Sequence, residues 1–457
     1  MSGRKKSGNV KNIYQLDGRV PLGRAIPYGL QHVLAMFVAN LTPITIIASS
    51  ASPAIAGTEL GHLIQDAMFI AGIATLIQLY PIWRIGSGLP IVMGISFTFV
   101  SVLCTIAANF GYPVVIGSVL AGGLMEGVLG LGLRKVVRYI KPIVPATVVC
   151  GIGLSLFTVG TRSLGGGYTE DFGSLKNLLV GFVTLTIALL WMIFVKGVSR
   201  SLAFLAGLIG GYILSVCLGM VDLADIWSGG FFTLPHFLIY EPVFRFGPIL
   251  SLFVIYLVSA TETIGDTSAL ASGGLGRNAT EKELSGSIAA DGFMSSVSSL
   301  FGCPPITSFS QNVGLVAMTH VVNRFTIMTG AAILVLAGFF PPIGQFFASV
   351  PQPVLGGCTI LMFGQILLSG MQMIAKCGFS QKNITIAALS LALGVGMTAA
   401  SETGIWKNFP MIVQDIFSTN VVAVVFIVAL ILSYILPEDL GEDKSKDQQK
   451  NTSGDPS

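Results

Sequence analysis

An all-α polytopic membrane protein of fourteen transmembrane segments is the fold class this sequence predicts, and three observations predict it. First, 53% of the 457 residues are apolar and only 10% are Asp, Glu, Lys or Arg, whereas a soluble domain carries about 25% charged residues. Second, stretches of about 20 apolar residues, enough to span the hydrocarbon core, recur along the whole chain. Third, the basic residues fall on alternate connections. No removable signal peptide is expected, because the basic MSGRKKSGNVKN start leads into a polar stretch.

Taken in order, the first seven segments lie near 27–48, 60–80, 89–107, 113–132, 139–159, 174–196 and 200–219. The second seven lie near 246–270, 286–302, 304–320, 324–341, 351–371, 382–400 and 416–437. With both termini cytoplasmic, 21 of the 25 Lys and Arg face inward; Arg162, Lys176, Arg245 and Lys407 face out. The positive-inside rule gives this skew only if the segment count is right, because one missed helix inverts every later connection. The tail at 438–457 is polar and reads as disordered. Six scattered Cys, without paired spacing, indicate neither a metal site nor a disulfide framework.

Residues 144–157 (VPATVVCGIGLSLF) and 350–363 (VPQPVLGGCTILMF) share Val, Pro, Val, Gly and Phe at the same places. They open the fifth and twelfth segments. Seven is odd, so two such halves would sit in the membrane with opposite orientation, an arrangement found in transporters with a midplane site. The third segment (GSGLPIVMGISFTFV, 86–100) and the tenth (GCPPITSFSQNVGLVAMT, 302–319) occupy matching places. Both open with Gly and Pro, and each is too short for a clean span. Both are therefore expected to be broken by short extended stretches, which membranes tolerate only where the backbone is buried or lines a cavity. Half-helices starting near Phe99 and Gln311 would then point free N–H groups at a ligand between them. Two kinked helices with no ligand remain the alternative.

Carboxylates inside apolar segments are costly and functional by default. Glu262 and Asp266 stand four residues apart, on one helix face; Asp291 follows in the ninth segment among small residues. A carboxyl in such a setting can exchange a proton near neutral pH, which suits proton coupling. Helix capping is the plainer role for all three. Glu126 and Asp66 read as structural, and His32 in the first segment reads as a hydrogen-bonding imidazole that could donate to a carboxylate. No H-E-x-x-H or nucleophile–base spacing occurs in the spans, so an enzyme is not expected.

The run Ser310-Gln311-Asn312-Val313-Gly314, continuing to Thr319, resembles the signature of the nucleobase–ascorbate transporter (nucleobase:cation symporter-2) family, in its bacterial xanthine/uric acid permease group. GLQHVLAM (29–36), GSGLP with GISFTFV (86–100), TETIGD (261–266), AADGF (289–293) and VPQPVLGG (350–357) match in the same order. The similarity covers about residues 20–437. It implies two inverted seven-segment repeats and a core domain built from 25–136 and 246–342. It also implies a gate domain from 137–220 and 348–437, cytoplasmic tails at 1–24 and 438–457, and a homodimer in the lipid of the cytoplasmic membrane.

By the same resemblance Glu262 binds the substrate, Gln311 partners it across the base, and Asn312 supports the site. Phe99 stacks on the ring, and N–H groups near Phe99 and Ser310 complete the edge contacts. Asp291, Asp266 and His32 serve proton coupling, and Gly314 is structural. Gln311 and Thr98 resemble the purine group, so the implied function is proton symport of xanthine or uric acid, with no cofactor and no nucleic-acid partner. A uracil or pyrimidine symporter, and an anion exchanger of the same architecture, are the alternatives. His320 departs from the family pattern, which often has Arg, Lys or a small residue there.

Overall fold

The computed structural model describes residues 10–132, 141–221, 224–227, 230–437 and 440. The first nine residues, the basic run 133–140 and nearly all of the expected C-terminal tail lie outside the described residues. Helices occupy the position of every expected segment: α1 Leu22–Ser50, α2 Gly57–Leu79, α3 Val100–Phe110, α4 Tyr112–Leu131, α5 Ile143–Leu164, α6 Leu175–Phe194 and α7 Ala203–Cys217. The second set is α8 Phe246–Leu275, α9 Glu281–Ser299, α10 Ser310–Thr319, α11 Arg324–Ala337, α12 Gln352–Cys377, α13 Gln381–Ala399 and α14 Val421–Ile435.

Nine helices among the described residues are long and apolar enough to cross a membrane. A tenth appears if α11 and the short helix Pro341–Ala348, bent 83° from it, form one span. Segment three and segment ten each begin as a three-residue strand, β1 Met93–Ile95 and β2 Ile306–Ser308, and only then turn helical. Short helices at Pro341–Ala348 and Met411–Phe417 were not expected from the sequence.

Caps set several boundaries. Thr280 and Glu283 form a reciprocal capping box that starts α9. Ser174, Asn323, Ser380 and Asn420 each accept a main-chain N–H in the first turn of their helices. At the far end of α10, His320 takes the left-handed conformation (φ 54°) that closes the helix.

Packing repeats between the two halves. α4 lies against α8 and α9, as α11 lies against α1 and α2. α6 pairs with α7 as α13 pairs with α14, and α5 and α12 cross each other at the centre. Small residues make the close crossings: a Cβ on Gly29 would sit 2.6 Å from the Gly330 nitrogen, and one on Gly123 2.6 Å from the Gly292 carbonyl. In hydrocarbon such close approach substitutes for the hydrophobic effect as the glue between helices.

Connections of one parity gather at one end. Gly86 N–H donates to Gly286 O (2.8 Å), Arg324 Nε to Gly88 O (2.5 Å), and Val322 N–H to Ile13 O (3.2 Å). At the opposite end Ser52 N–H donates to Ala107 O, Val243 N–H to Pro113 O, and Leu238 N–H to Leu300 O.

Candidate substrate site

The centre of the site is where the two broken segments meet. β1 and β2 pair antiparallel, Met93 opposite Ser308, Gly94 opposite Thr307 and Ile95 opposite Ile306. Ser96 N–H to Pro305 O (3.0 Å) and Phe309 N–H to Val92 O (2.9 Å) extend the ladder at both ends. Because the strands are antiparallel, the helices that follow them leave in opposite directions. Their N-termini therefore face one place, and the first N–H groups of a helix lack main-chain acceptors.

A two-stranded sheet has two open edges, which lipid or a dry interior cannot satisfy. Side chains close both. On β1, Met93 N–H donates to Thr75 Oγ1 (3.0 Å) and Ile95 N–H to Asn40 Oδ1 (2.8 Å). On β2, Ile306 N–H donates to Ser295 Oγ (3.0 Å) and Ser308 N–H to Asp291 Oδ2 (3.4 Å). Thus α1 and α2 close the edge of one strand, and α9 alone closes the edge of the other. The sequence reading missed Asn40, Thr75 and Ser295; their only signal was a polar side chain inside an apolar run.

A cavity of about 240 Å³ opens beside the ladder. One wall is Phe97, Thr98, Glu262, Ser308, Phe309, Ser310 and Gln311; the other is Val149 and Ile152 of α5 with Met362, Gln365, Ile366 and Ser369 of α12. Thr98 Oγ1 donates to Glu262 Oε2 at 2.8 Å, which holds that carboxylate at the rim. One turn along α8, Asp266 Oδ2 accepts from Ser308 Oγ (2.8 Å) and Ser310 Oγ (3.0 Å), bracing the turn from β2 into α10. Asp291 lies behind the strand, accepting from Thr263 Oγ1 and from Ser308 N–H.

Of the sequence-assigned residues, Glu262, Gln311, Thr98 and Ser310 line this cavity together. Phe99 does not. Its ring is fully buried against Tyr256, centroids 4.6 Å apart, while Phe97 and Phe309 present rings to the cavity. The reason is local: Phe97–Phe99 form a 3₁₀ turn, in which successive side chains stand about 120° apart, so two residues on the ring points elsewhere.

His32 also differs from expectation. Instead of a carboxylate it faces Asn312, whose Nδ2 donates to the His32 carbonyl (3.0 Å) and lies 3.2 Å from Nδ1. Asn312 thereby ties α10 to α1 one layer behind the cavity. At Gly314 a Cβ would meet nothing within 4 Å, so no close approach inside this chain requires glycine there.

Comparison with known proteins matches residues 23–403 to the model of a family described as "Permease family". A xanthine permease of Bacillus subtilis is 32% identical over 405 residues, 88% of this chain and 91% of that protein. The uric acid permease PucK of the same organism is 35% identical over 373 residues, 81% and 86% of the two chains. Xanthine permease XanQ of Escherichia coli is 33% identical over 416 residues, covering 87% and 88%. Among solved structures, the transmembrane domain of the cyanobacterial bicarbonate transporter BicA superposes with a TM-score of 0.59 at 17% identity, over 90% of this chain and 98% of that one. SLC26A9 gives 0.59 at 12% identity, over 90% and 66%. These two show a common fold, the inverted seven-plus-seven transporter architecture.

Proposed function

From the chain's membership of the permease family of nucleobase–ascorbate transporters, we propose that it takes up xanthine and uric acid by proton symport through alternating access. The chain is a membrane permease and not an enzyme; the substrate, the coupling ion and the motion are our reading. One observation carries it: Glu262 and Gln311 reach a single cavity from α8 and from the start of α10. A purine dione offers adjacent N–H donors and C=O acceptors in one plane. A carboxylate accepts two N–H bonds, an amide both donates and accepts, and the first N–H groups of α10 supply further donors. Phe97 and Phe309 give the base apolar faces. Buried polar groups left unpaired by a poorer fit are costly, so such a site discriminates between similar bases.

Alternating access is supported by what the cavity lies between. One of its walls belongs to 25–136 and 246–342, the other to α5 and α12 within 137–220 and 348–437. Movement of the first group past the second would expose the base to one face and then the other. Asp266 and Asp291 reach the strand and turn beside the cavity, which supports assigning proton exchange to them. Both termini are assigned to the cytoplasm, the chain to the inner membrane, and the working unit to a homodimer.

The test is uptake of radiolabelled xanthine by cells expressing the chain, with excess unlabelled uric acid, uracil, hypoxanthine or ascorbate, with and without a protonophore. Uptake that the protonophore abolishes and uric acid blocks, but uracil does not, is expected. Uracil uptake without xanthine uptake overturns the substrate assignment, and protonophore-insensitive uptake overturns the coupling.

A further inference from the structure

We propose that Glu126 of α4 and Asp291 of α9 together hold one exchangeable proton, forming a proton-binding pair behind the substrate cavity. The proposal rests on the symport reading above and adds a residue to it that touches neither substrate nor cavity.

Glu126 is completely buried, and neither of its carboxyl oxygens has a hydrogen-bond partner. A bare carboxylate in such a place costs several kcal/mol, so the group keeps a proton or shares one. Asp291 is its acidic neighbour, and Tyr256 and Ser259 of α8 lie beside it, the Ser259 hydroxyl turned toward its carboxyl; Asp291 in turn also feels Asp266 and Glu262 of α8. The hydroxyl of Tyr256 is already committed as donor to Val119 O at 3.2 Å. Asp291 is equally buried, and its Oδ1 has no partner either.

Backbone contact brings the two acids to one level. A Cβ added to Gly292, the residue after Asp291, would sit 2.1 Å from the Gly127 nitrogen and 2.7 Å from the Glu126 carbonyl carbon. On α8, Ser259 stands beside Glu126 and Thr263 beside Asp291. Two buried acids on helices in backbone contact, each with an unfilled oxygen, cannot both be ionised at low cost, which favours a proton retained on the pair.

Occupancy of the pair is transmitted without a moving helix. Asp291 Oδ2 holds the Ser308 N–H. Ser308 Oγ and Ser310 Oγ in turn hold Asp266, and Ser308 and Ser310 line the cavity. A change of charge on the pair therefore alters the grip on the strand that presents Gln311. Glu126 is a positioning and proton-holding residue in this scheme. The sequence places it at a helix contact, and the structure adds that the contact leaves its carboxyl empty-handed.

The experiment uses the purified full chain in proteoliposomes and compares xanthine exchange, which needs no net proton movement, with accumulation driven by a pH gradient. One coupled proton and a one-unit gradient give about tenfold accumulation. Glu126→Gln is expected to exchange xanthine at near the wild-type rate and to accumulate none. Glu126→Asp is expected to accumulate with a displaced pH profile. Wild-type accumulation by a folded Glu126→Gln, or its loss of exchange, overturns the pair. If Glu126→Gln does not fold, Ser259→Ala removes the neighbouring hydroxyl and leaves both acids. It should move the pH profile of accumulation, and an unmoved profile overturns the proposal. A wild-type protein that exchanges xanthine but never accumulates it with the gradient sinks the symport reading instead.

Discussion

Phe97 and Phe99 differ by two residues and face opposite tasks. Phe97 presents its ring to the cavity and meets Phe363 edge-on, centroids 5.3 Å apart; Phe99 is sealed against Tyr256. Phe97→Ala should raise the KM for xanthine about 2- to 10-fold, the worth of one ring contact, on top of a stability loss from its own buried packing against Phe363. Phe99→Ala should instead remove about 3–5 kcal/mol of stability by leaving a cavity, seen as a lower melting temperature and less protein in the membrane. The reverse pattern would return the stacking role to Phe99. Glu262→Gln keeps the shape and removes the charge; loss of a charge-assisted bond predicts roughly a 10- to 150-fold fall in uptake efficiency. Full uptake of every purine by that variant would remove Glu262 from the site. At this scale the carboxylates were legible, because Glu262, Asp266 and Asp291 interrupt apolar runs. The choice between two nearby rings was not, since it depends on the phase of a three-residue 3₁₀ turn, and neither was the partner of His32, which depends on how α1 passes α10.

The third and tenth segments show what an element-level reading reaches. Gly, Pro and shortness announced that both are broken, and the helix starts at Val100 and Ser310 fall within a residue of the expected ones. Three-residue strands have no periodicity to detect, so the ladder itself was invisible, as were the side chains that close its edges. Those side chains make a prediction. Asn40→Ala leaves the buried N–H of Ile95 without an acceptor and should cost about 1–3 kcal/mol, read as a fall in melting temperature in detergent. Ser295→Ala does the same to Ile306. Ser390→Ala is the control: its hydroxyl is buried in α13 with no partner, so its removal should be neutral. Equal melting temperatures for all three would mean that the strand edges find other partners.

For the molecule as a whole, length and hydropathy alone find fewer spans than the basic residues predict. Among the described residues nine helices pass as spans unaided; α3 and α10 are shortened by their strands, α9 is diluted with Ser and Gly, and α11 and α14 are short. The alternation of basic residues predicts the further spans from the sequence, and same-parity connections cluster at one end. A direct consequence concerns Lys282 at the start of α9 and Lys407 after α13, both exposed. Five segments, α9 to α13, separate them; an odd number of crossings puts them on opposite faces. Cysteines placed at 282 and 407, in a background lacking the exposed Cys217, should respond differently to a membrane-impermeant maleimide. Position 407 should label in intact cells, and position 282 only after the membrane is opened. Labelling of both from outside would mean that one of the five segments enters and leaves by the same face. The segment at fault would then be α10 or the bent α11, the two whose helices are too short to reach across alone. Labelling of 282 alone would keep the count and invert the whole protein, moving both tails and the basic connections outside.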